Sequence, residues 1–302
     1  MDYDIAVIGG SYAGLSAAIY AARGRRSVAV IDAGRPRNRF SPESHGFFGQ
    51  DGATGAAMLA RARADLARYP AVELIAGTAT AATADDGLFM VSVADRAPIR
   101  VAKLILATGI NDILPDVPGL AERWGVGVLH CPYCHGYEHA GRPLGVLGQS
   151  EGALHHARLI ANWGPTTLFL DAGIAADDAT LAGLRETGVR VERERIVELH
   201  GSGRELSSIE LASGEHVPAV ALFVMPGLQL ASPIAEHLGC ELVDAPTGRI
   251  VKVDGAMRTS VPSVYACGDA ARAFGNAMLA AADGVIAGGS ANYASIFGEP
   301  AR

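Results

Sequence analysis

The chain has 302 residues, room for about two domains, and 49% of it is hydrophobic, which excludes both a lone small module and a disordered segment. A formal net charge of −7 leaves no broad basic surface for phosphate backbones or anionic lipid, and no apolar run approaches the roughly 18 residues of a membrane span. Nucleic acid and membranes are therefore not expected as partners, and the acidic start Met1-Asp2-Tyr3-Asp4, where a secretory leader is positive, points to a cytoplasmic protein.

The first elements form a strand, tight turn, helix and strand. Ile5 to Ile8 is a continuous apolar run, Gly9-Gly10-Ser11-Tyr12-Ala13-Gly14 a glycine-rich turn, Leu15 to Arg23 an alanine-rich helix, and Ser27 to Ile31 a second strand ending at Asp32. In such a unit the helix N-terminus holds a pyrophosphate and the acidic residue after the second strand holds ribose hydroxyls. Ser11 stands where the usual fingerprint has glycine, so the motif in isolation is equally well a plain structural turn.

Short alternating strands follow around Thr78 to Val101, and then a strand from Lys103 to Leu106 ends in the turn Ala107-Thr108-Gly109. Next comes Cys131-Pro132-Tyr133-Cys134, the one closely spaced pair among four cysteines. In a reducing compartment such a pair is redox-active or metal-binding rather than a structural disulfide. A free cysteine, with a pKa near 8.5, is mostly thiol at neutral pH, and His135 is placed to raise the thiolate fraction for exchange. Three other roles compete for this segment. C-x-x-C-H matches haem attachment, which normally follows export. His130, Cys131, Cys134 and His135 offer four zinc ligands, but adjacent residues seldom converge on one tetrahedral centre. Inert core thiols sit poorly with the flanking histidines.

The second half repeats the first plan. Leu144 to Leu147, the turn Gly148-Gln149-Ser150-Glu151-Gly152-Ala153, a helix to Trp163 and a strand Thr167 to Asp171 predict a second nucleotide-type unit, followed by short strands from Arg195 to Val217. The fold class is α/β, with two tandem Rossmann-like units. The C-terminal stretch runs from Thr259 through Cys267-Gly268-Asp269 into a helix over about Asn276 to Ile296.

These segments together resemble the flavoprotein disulfide reductases of class II. The placement of Cys131 and Cys134 just before the second nucleotide-type unit is similar to the low-molecular-weight thioredoxin reductases. The resemblance implies a discontinuous FAD domain of residues 1–112 and 246–302 and an inserted NAD(P)H-binding-like domain of residues 113–245. FAD would be held by Gly9, Ser11, Tyr12, Ala13, Gly14, Asp32, Ala33, Ala107, Thr108, Gly109, Gly268, Asp269 and Ala277. Thr78 and Ala79 would lie by the adenine, and Arg39, His45 and Gln50 come from a loop laid over the cofactor. Asp269 has a helix cap as its alternative, and each of the three loop residues has an ordinary loop role as its own. Cys240 and Cys267 are expected to be small buried fillers.

His135 departs from the thioredoxin reductases, which usually carry an acidic proton donor there. Cys131 to Glu138 reads Cys-x-x-Cys-His-Gly-Tyr-Glu, as in the gliotoxin- and holomycin-type dithiol oxidases. That resemblance implies that Cys131 exchanges with substrate, Cys134 faces the flavin, and His135 is acid and base, a role His130 either shares or leaves for capping a turn. After Asp171 no cation occurs before Arg185, and Asp177 and Asp178 add carboxylates. A carboxylate about 5 Å from a 2'-phosphate opposes it by about 3 kcal/mol at an effective dielectric of 20, so NADPH is disfavoured. Glu151 at the second turn either opposes a pyrophosphate or points to solvent. The expected activity is FAD-dependent oxidation of a dithiol with oxygen as acceptor. The alternatives are a reductase drawing electrons from a nicotinamide nucleotide or ferredoxin, and a non-enzymatic flavin sensor. The substrate would be a small dithiol or a thioredoxin-like protein, and the family implies a homodimer.

Overall fold

The computed structural model describes residues 1–170 and 177–298 and divides into two units. The first opens with β1 (Tyr3–Ile8), α1 (Tyr12–Arg23), β2 (Val28–Asp32), α2 (Gly55–Leu66) and β3 (Val72–Ala76). It continues through β4 (Ala79–Asp85), β5 (Leu88–Val93), β6 (Ile99–Leu106) and the short β7 (Ile110–Ile113). The second unit carries β8 (Val128–Leu129), α3 (Pro132–His135), β9 (Leu144–Gly148), α4 (Gly152–Ile160), β10 (Thr166–Leu170), α5 (Asp178–Glu186) and β11 (Arg190–Glu192). It ends with β12 (Ile196–His200), β13 (Ser208–Leu211), β14 (His216–Pro218) and β15 (Ala221–Phe223). The first unit then resumes with β16 (Gly227–Leu230), α6 (Ile234–His237), β17 (Leu242–Ala245), β18 (Gly248–Val251), β19 (Val264–Ala266) and α7 (Ala277–Phe297).

In the first unit β3, β2, β1 and β6 pair in parallel, β19 runs parallel on the far half of β6, and β5 and β4 extend the sheet antiparallel from its near half. The central strands read as continuous apolar runs because helices and loops cover both faces: Ile5, Val7, Val28 and Val30 join one core, Ala6, Ala29, Ile31 and Leu104 the other. Helix α1 starts three residues before the alanine-rich run because Tyr12, Ala13 and Gly14 of the turn already form its first turn. Helix α7 packs against α1 through glycine: a Cβ on Gly284 would lie 2.0 Å from the Ala13 carbonyl oxygen, and one on Gly288 2.3 Å from that of Ala17.

The second unit holds a wholly parallel sheet ordered β11-β10-β9-β15-β8 and a separate antiparallel sheet β12-β13-β14. The tandem Rossmann-like architecture is thus present. The second unit comprises Phe40–Gly55 and Ile113–Gly227. Residues 228–245 join the first unit, where Ile234, Ala235 and Cys240 are buried with Ala82, Phe89 and Val91, and the loop Phe40–Gly55 belongs to the second. The second helix stops at Ile160 rather than Trp163, and Asp171 lies outside the described residues. No helix among the described residues is long and apolar enough to cross a membrane.

Candidate active site

Cys131 and Cys134 form a disulfide, their Cα atoms 5.3 Å apart. Cys131 is the residue before α3, and Pro132, with its φ preset and no N–H to satisfy, opens that single turn. The turn is closed by Gly136, whose added Cβ would meet the Pro132 carbonyl oxygen at 2.6 Å and the Trp163 ring at 3.0 Å. Tyr133 stacks edge-on against Trp163 with ring centroids 5.5 Å apart while staying exposed to solvent. Cys131 is only 7% exposed and Cys134 half-buried, so exchange at Cys131 requires its sulfur to be uncovered.

The histidine after the pair is held by the loop of the same unit: His135 Nε2 lies 3.2 Å from Ser41 Oγ. Burial pushes its pKa down from 6.5 to about 4, against an upward pull from the Glu138 carboxylate. His135 is therefore neutral at pH 7. Around it, His45 stands 3.5 Å from Glu138 and 3.7 Å from both Glu43 and Asp51. His45 is thus among carboxylates in the unit that carries the disulfide, and Gln50 lies in the same loop. His130 packs its ring toward Trp124, centroids 5.9 Å apart. Burial raises the pKa of the two free thiols, Cys240 and Cys267, so both stay protonated and unreactive.

In the first unit the turns named from sequence converge on the carboxyl edge of the parallel sheet, the place where open α/β sheets take ligands. Gly9 has φ +111°, and a Cβ there would lie 2.1 Å from the Ala107 carbonyl oxygen. One on Gly14 would lie 1.8 Å from the Gly9 carbonyl oxygen, and one on Gly268, at φ +68°, 2.9 Å from the Ala13 Cβ. Ala107 donates its N–H to the Ile8 carbonyl and Cys267 donates to Leu106, which locks the Ala107–Gly109 and Gly268–Asp269 turns beside Ser11 to Gly14. The Thr78 carbonyl accepts from Ala94, and Gly77 donates to the Asp32 carbonyl, placing Thr78 and Ala79 next to Asp32 and Ala33. Ala277 opens α7 behind the cap Asn276, whose side chain accepts from the Leu279 N–H, so Asp269 is not the cap of that helix.

Two further basic side chains, Arg37 and Arg63, pair with carboxylates at this edge. Arg39 donates to the Pro36 carbonyl at 3.0 Å. Arg37 instead pairs with Asp112 at 2.6 Å and with Asp269 at 3.0 Å. Burial works against its charge, but these carboxylates raise its pKa. Arg63 of α2 pairs with Asp32 at 2.7 Å. Neither partner is legible locally, since each lies far along the chain.

The second nucleotide-type turn is plainer. Glu151 precedes α4, is exposed and makes no side-chain cap. Asp177, taken from sequence as a carboxylate facing a phosphate pocket, caps α5 by accepting from the Thr180 N–H at 2.7 Å. Capping accounts for that residue and removes it from the argument against NADPH.

The profile of the family described as pyridine nucleotide-disulphide oxidoreductase matches residues 3–284. The chain belongs to that family. A protein named thioredoxin reductase tcpT from Claviceps purpurea is 32% identical over 296 residues, spanning 94% of this chain and 92% of its own. Thioredoxin reductase sirT from Leptosphaeria maculans is 30% identical over 308 residues, covering 96% and 94%. The crystal structure of an oxidoreductase from Agrobacterium tumefaciens superposes with a TM-score of 0.95 at 40% identity, covering 99% of this chain and all of that one. This family member is accordingly a thioredoxin reductase-like oxidoreductase whose cofactor is FAD. The residues present fit that cofactor. The N-terminus of α1 has no side-chain cap and no acid in its first turn, and glycines at 9, 14 and 268 keep the three converging turns close where any Cβ would part them.

Proposed function

We propose that the protein oxidises dithiols to disulfides through Cys131 and Cys134, with oxygen as final acceptor and hydrogen peroxide as product. The observation that carries this reading is His135, the histidine after the redox pair, where the thioredoxin reductases usually carry an acidic proton donor: its Nε2 is held 3.2 Å from Ser41 Oγ, an imidazole placed to relay protons during thiol exchange. Oxidising a dithiol releases two protons, and a base suits that direction.

The substrate thiolate attacks Cys131 Sγ, the Cys131–Cys134 bond breaks, and Cys134 leaves as thiolate. The second substrate thiolate then attacks the substrate sulfur of the mixed disulfide, closing the product disulfide and freeing the Cys131 thiolate. His135 takes a substrate proton, and Glu138 offsets part of the cost of its buried charge. FAD supplies, when bound, two-electron acceptance from the resulting dithiol and delivery to oxygen. We place it on Gly9, Ser11, Tyr12, Ala13, Gly14, Asp32, Ala33, Thr78, Ala79, Ala107, Thr108, Gly109, Gly268, Asp269 and Ala277, with Arg37 orienting Asp269. Residues 113–227 then form the NAD(P)H-binding-like domain with the redox pair.

Tyr133, Tyr137 and Phe48, all exposed in the unit with the disulfide, offer aromatic surface to a small dithiol or to a thioredoxin-like protein. A homodimer is supported by the uncovered apolar side chains Ile286, Tyr293, Ile296 and Phe297 along α7, and unpaired Cys240 and Cys267 suit a cytoplasmic setting.

The test is anaerobic mixing of the yellow protein with dithiothreitol, NADH or NADPH, followed by oxygen uptake. Bleaching by dithiol alone, with peroxide formed on admitting air, is the expected result. Rapid bleaching by either nucleotide establishes the reductase instead, the reading favoured by the second nucleotide-type unit.

A further inference from the structure

The antiparallel sheet β12-β13-β14 carries a group of side chains that the redox chemistry does not use. Strands β13 and β14 alternate buried and outward residues, and β12 does so beyond an irregularity between Ile196 and Glu198. Ile196, Leu199, Ile209, Leu211 and Val217 are buried in one core of the second unit. The other face presents Glu210 directly opposite His216, and His200 opposite Ser208, one pleat away on the same face. Across this face His200 Nε2 is 2.7 Å from Glu210 Oε2, and the two imidazole rings have centroids 5.0 Å apart. One ligand atom from each of His200, Glu210 and His216 lies within 4.8 Å of the others.

We propose that His200, Glu210 and His216 form a binding site for a divalent transition metal ion of the zinc class. The donor set decides the class: two imidazoles and one carboxylate suit a borderline ion, whereas magnesium and calcium take oxygen ligands. Ligand atoms around tetrahedral zinc, at bonds of about 2.0–2.1 Å, stand roughly 3.3 Å apart, so the group must close by up to about 1.5 Å. Rotamer adjustment on a fixed backbone achieves this, because the buried reverse face holds the three strands in register. The tetrahedron is completed by water, since three protein ligands leave one position open. The His200–Glu210 contact seen here is the metal-free pairing of two ligands. On binding, the imidazole keeps its proton on the nitrogen that does not ligate.

The test uses the full FAD-loaded chain, stripped with a chelator and kept oxidised so that Cys131 and Cys134 offer no thiolate. Equilibrium dialysis against zinc chloride is expected to give one zinc per chain with micromolar affinity. His200→Ala and His216→Ala should each weaken binding at least tenfold. Both positions face solvent, and an exposed His–Glu pair contributes at most about 1 kcal/mol, so these variants keep their fold and melting temperature without metal. The Cys131→Ser/Cys134→Ser variant should bind zinc as the parent does, and cobalt in place of zinc should show no thiolate charge-transfer band. Absence of zinc uptake at 100-fold the micromolar range, equal affinity in the histidine variants, or loss of binding in the cysteine variant overturns the proposal.

Discussion

At the scale of single residues, His135 combines two properties that make opposite demands. Its position beside the disulfide asks it to take a proton, and its burial resists the charge, so the folded pKa is about 4 against 6.5 in the unfolded chain. Between those values the unfolded state binds the extra proton. The contribution of His135 to stability is therefore complete above about pH 6.5 and declines as pH falls toward 4, by up to about 3 kcal/mol. Half-buried His156, also with a pKa of about 4, acts in the same direction. Urea unfolding should show lower stability at pH 5 than at pH 7, with a smaller difference in His135→Asn; equal pH dependence in parent and variant would remove His135 from this balance. The acid limb of dithiol oxidation should lie below pH 5. Ser41→Ala, which frees the His135 ring, should lower kcat several-fold, with partial rescue in Ser41→Thr. Cys134→Ser should abolish bleaching by dithiols, and an unchanged rate of bleaching would remove the disulfide from the mechanism.

At the scale of elements, the glycines at helix contacts and turn ends set what can be changed. Gly284→Leu drives a side chain into the Ala13 carbonyl, in the turn assigned to the cofactor. We expect a loss of about 3 kcal/mol, seen as a Tm lower by roughly 5–10 °C together with reduced flavin content. The paired strand-turn-helix units were legible in sequence because their signals are local: apolar runs, a glycine turn, then an aspartate. Helix α7 fell within a residue of its expected start because Asn276 is a local cap. Arg37, Arg63 and Ser41 were missed for the complementary reason. Each acquires its role from a partner distant in the chain, and nothing in the flanking residues distinguishes Arg37 from Arg39. The loop Phe40–Gly55 lies with the second unit, where His45 stands 3.5 Å from Glu138, a contact no local signal announces.

For the whole molecule, the exposed apolar side chains of α7 predict self-association. Tyr293→Asp and Phe297→Asp together should convert a dimer to a monomer in sedimentation at micromolar concentration, with FAD retained. A monomer in the parent protein would contradict the assignment.

The packing of α7 on α1 also governs how the chain is made. Because β19 completes the first sheet and α7 covers α1, the first unit cannot close until α7 has been synthesised, whereas the second unit has all its strands available earlier. Nascent α1 must therefore wait with its alanine face uncovered, and a chain stalled or cut before Ala277 should be captured by chaperones or degraded rather than accumulate as a flavin-binding fragment.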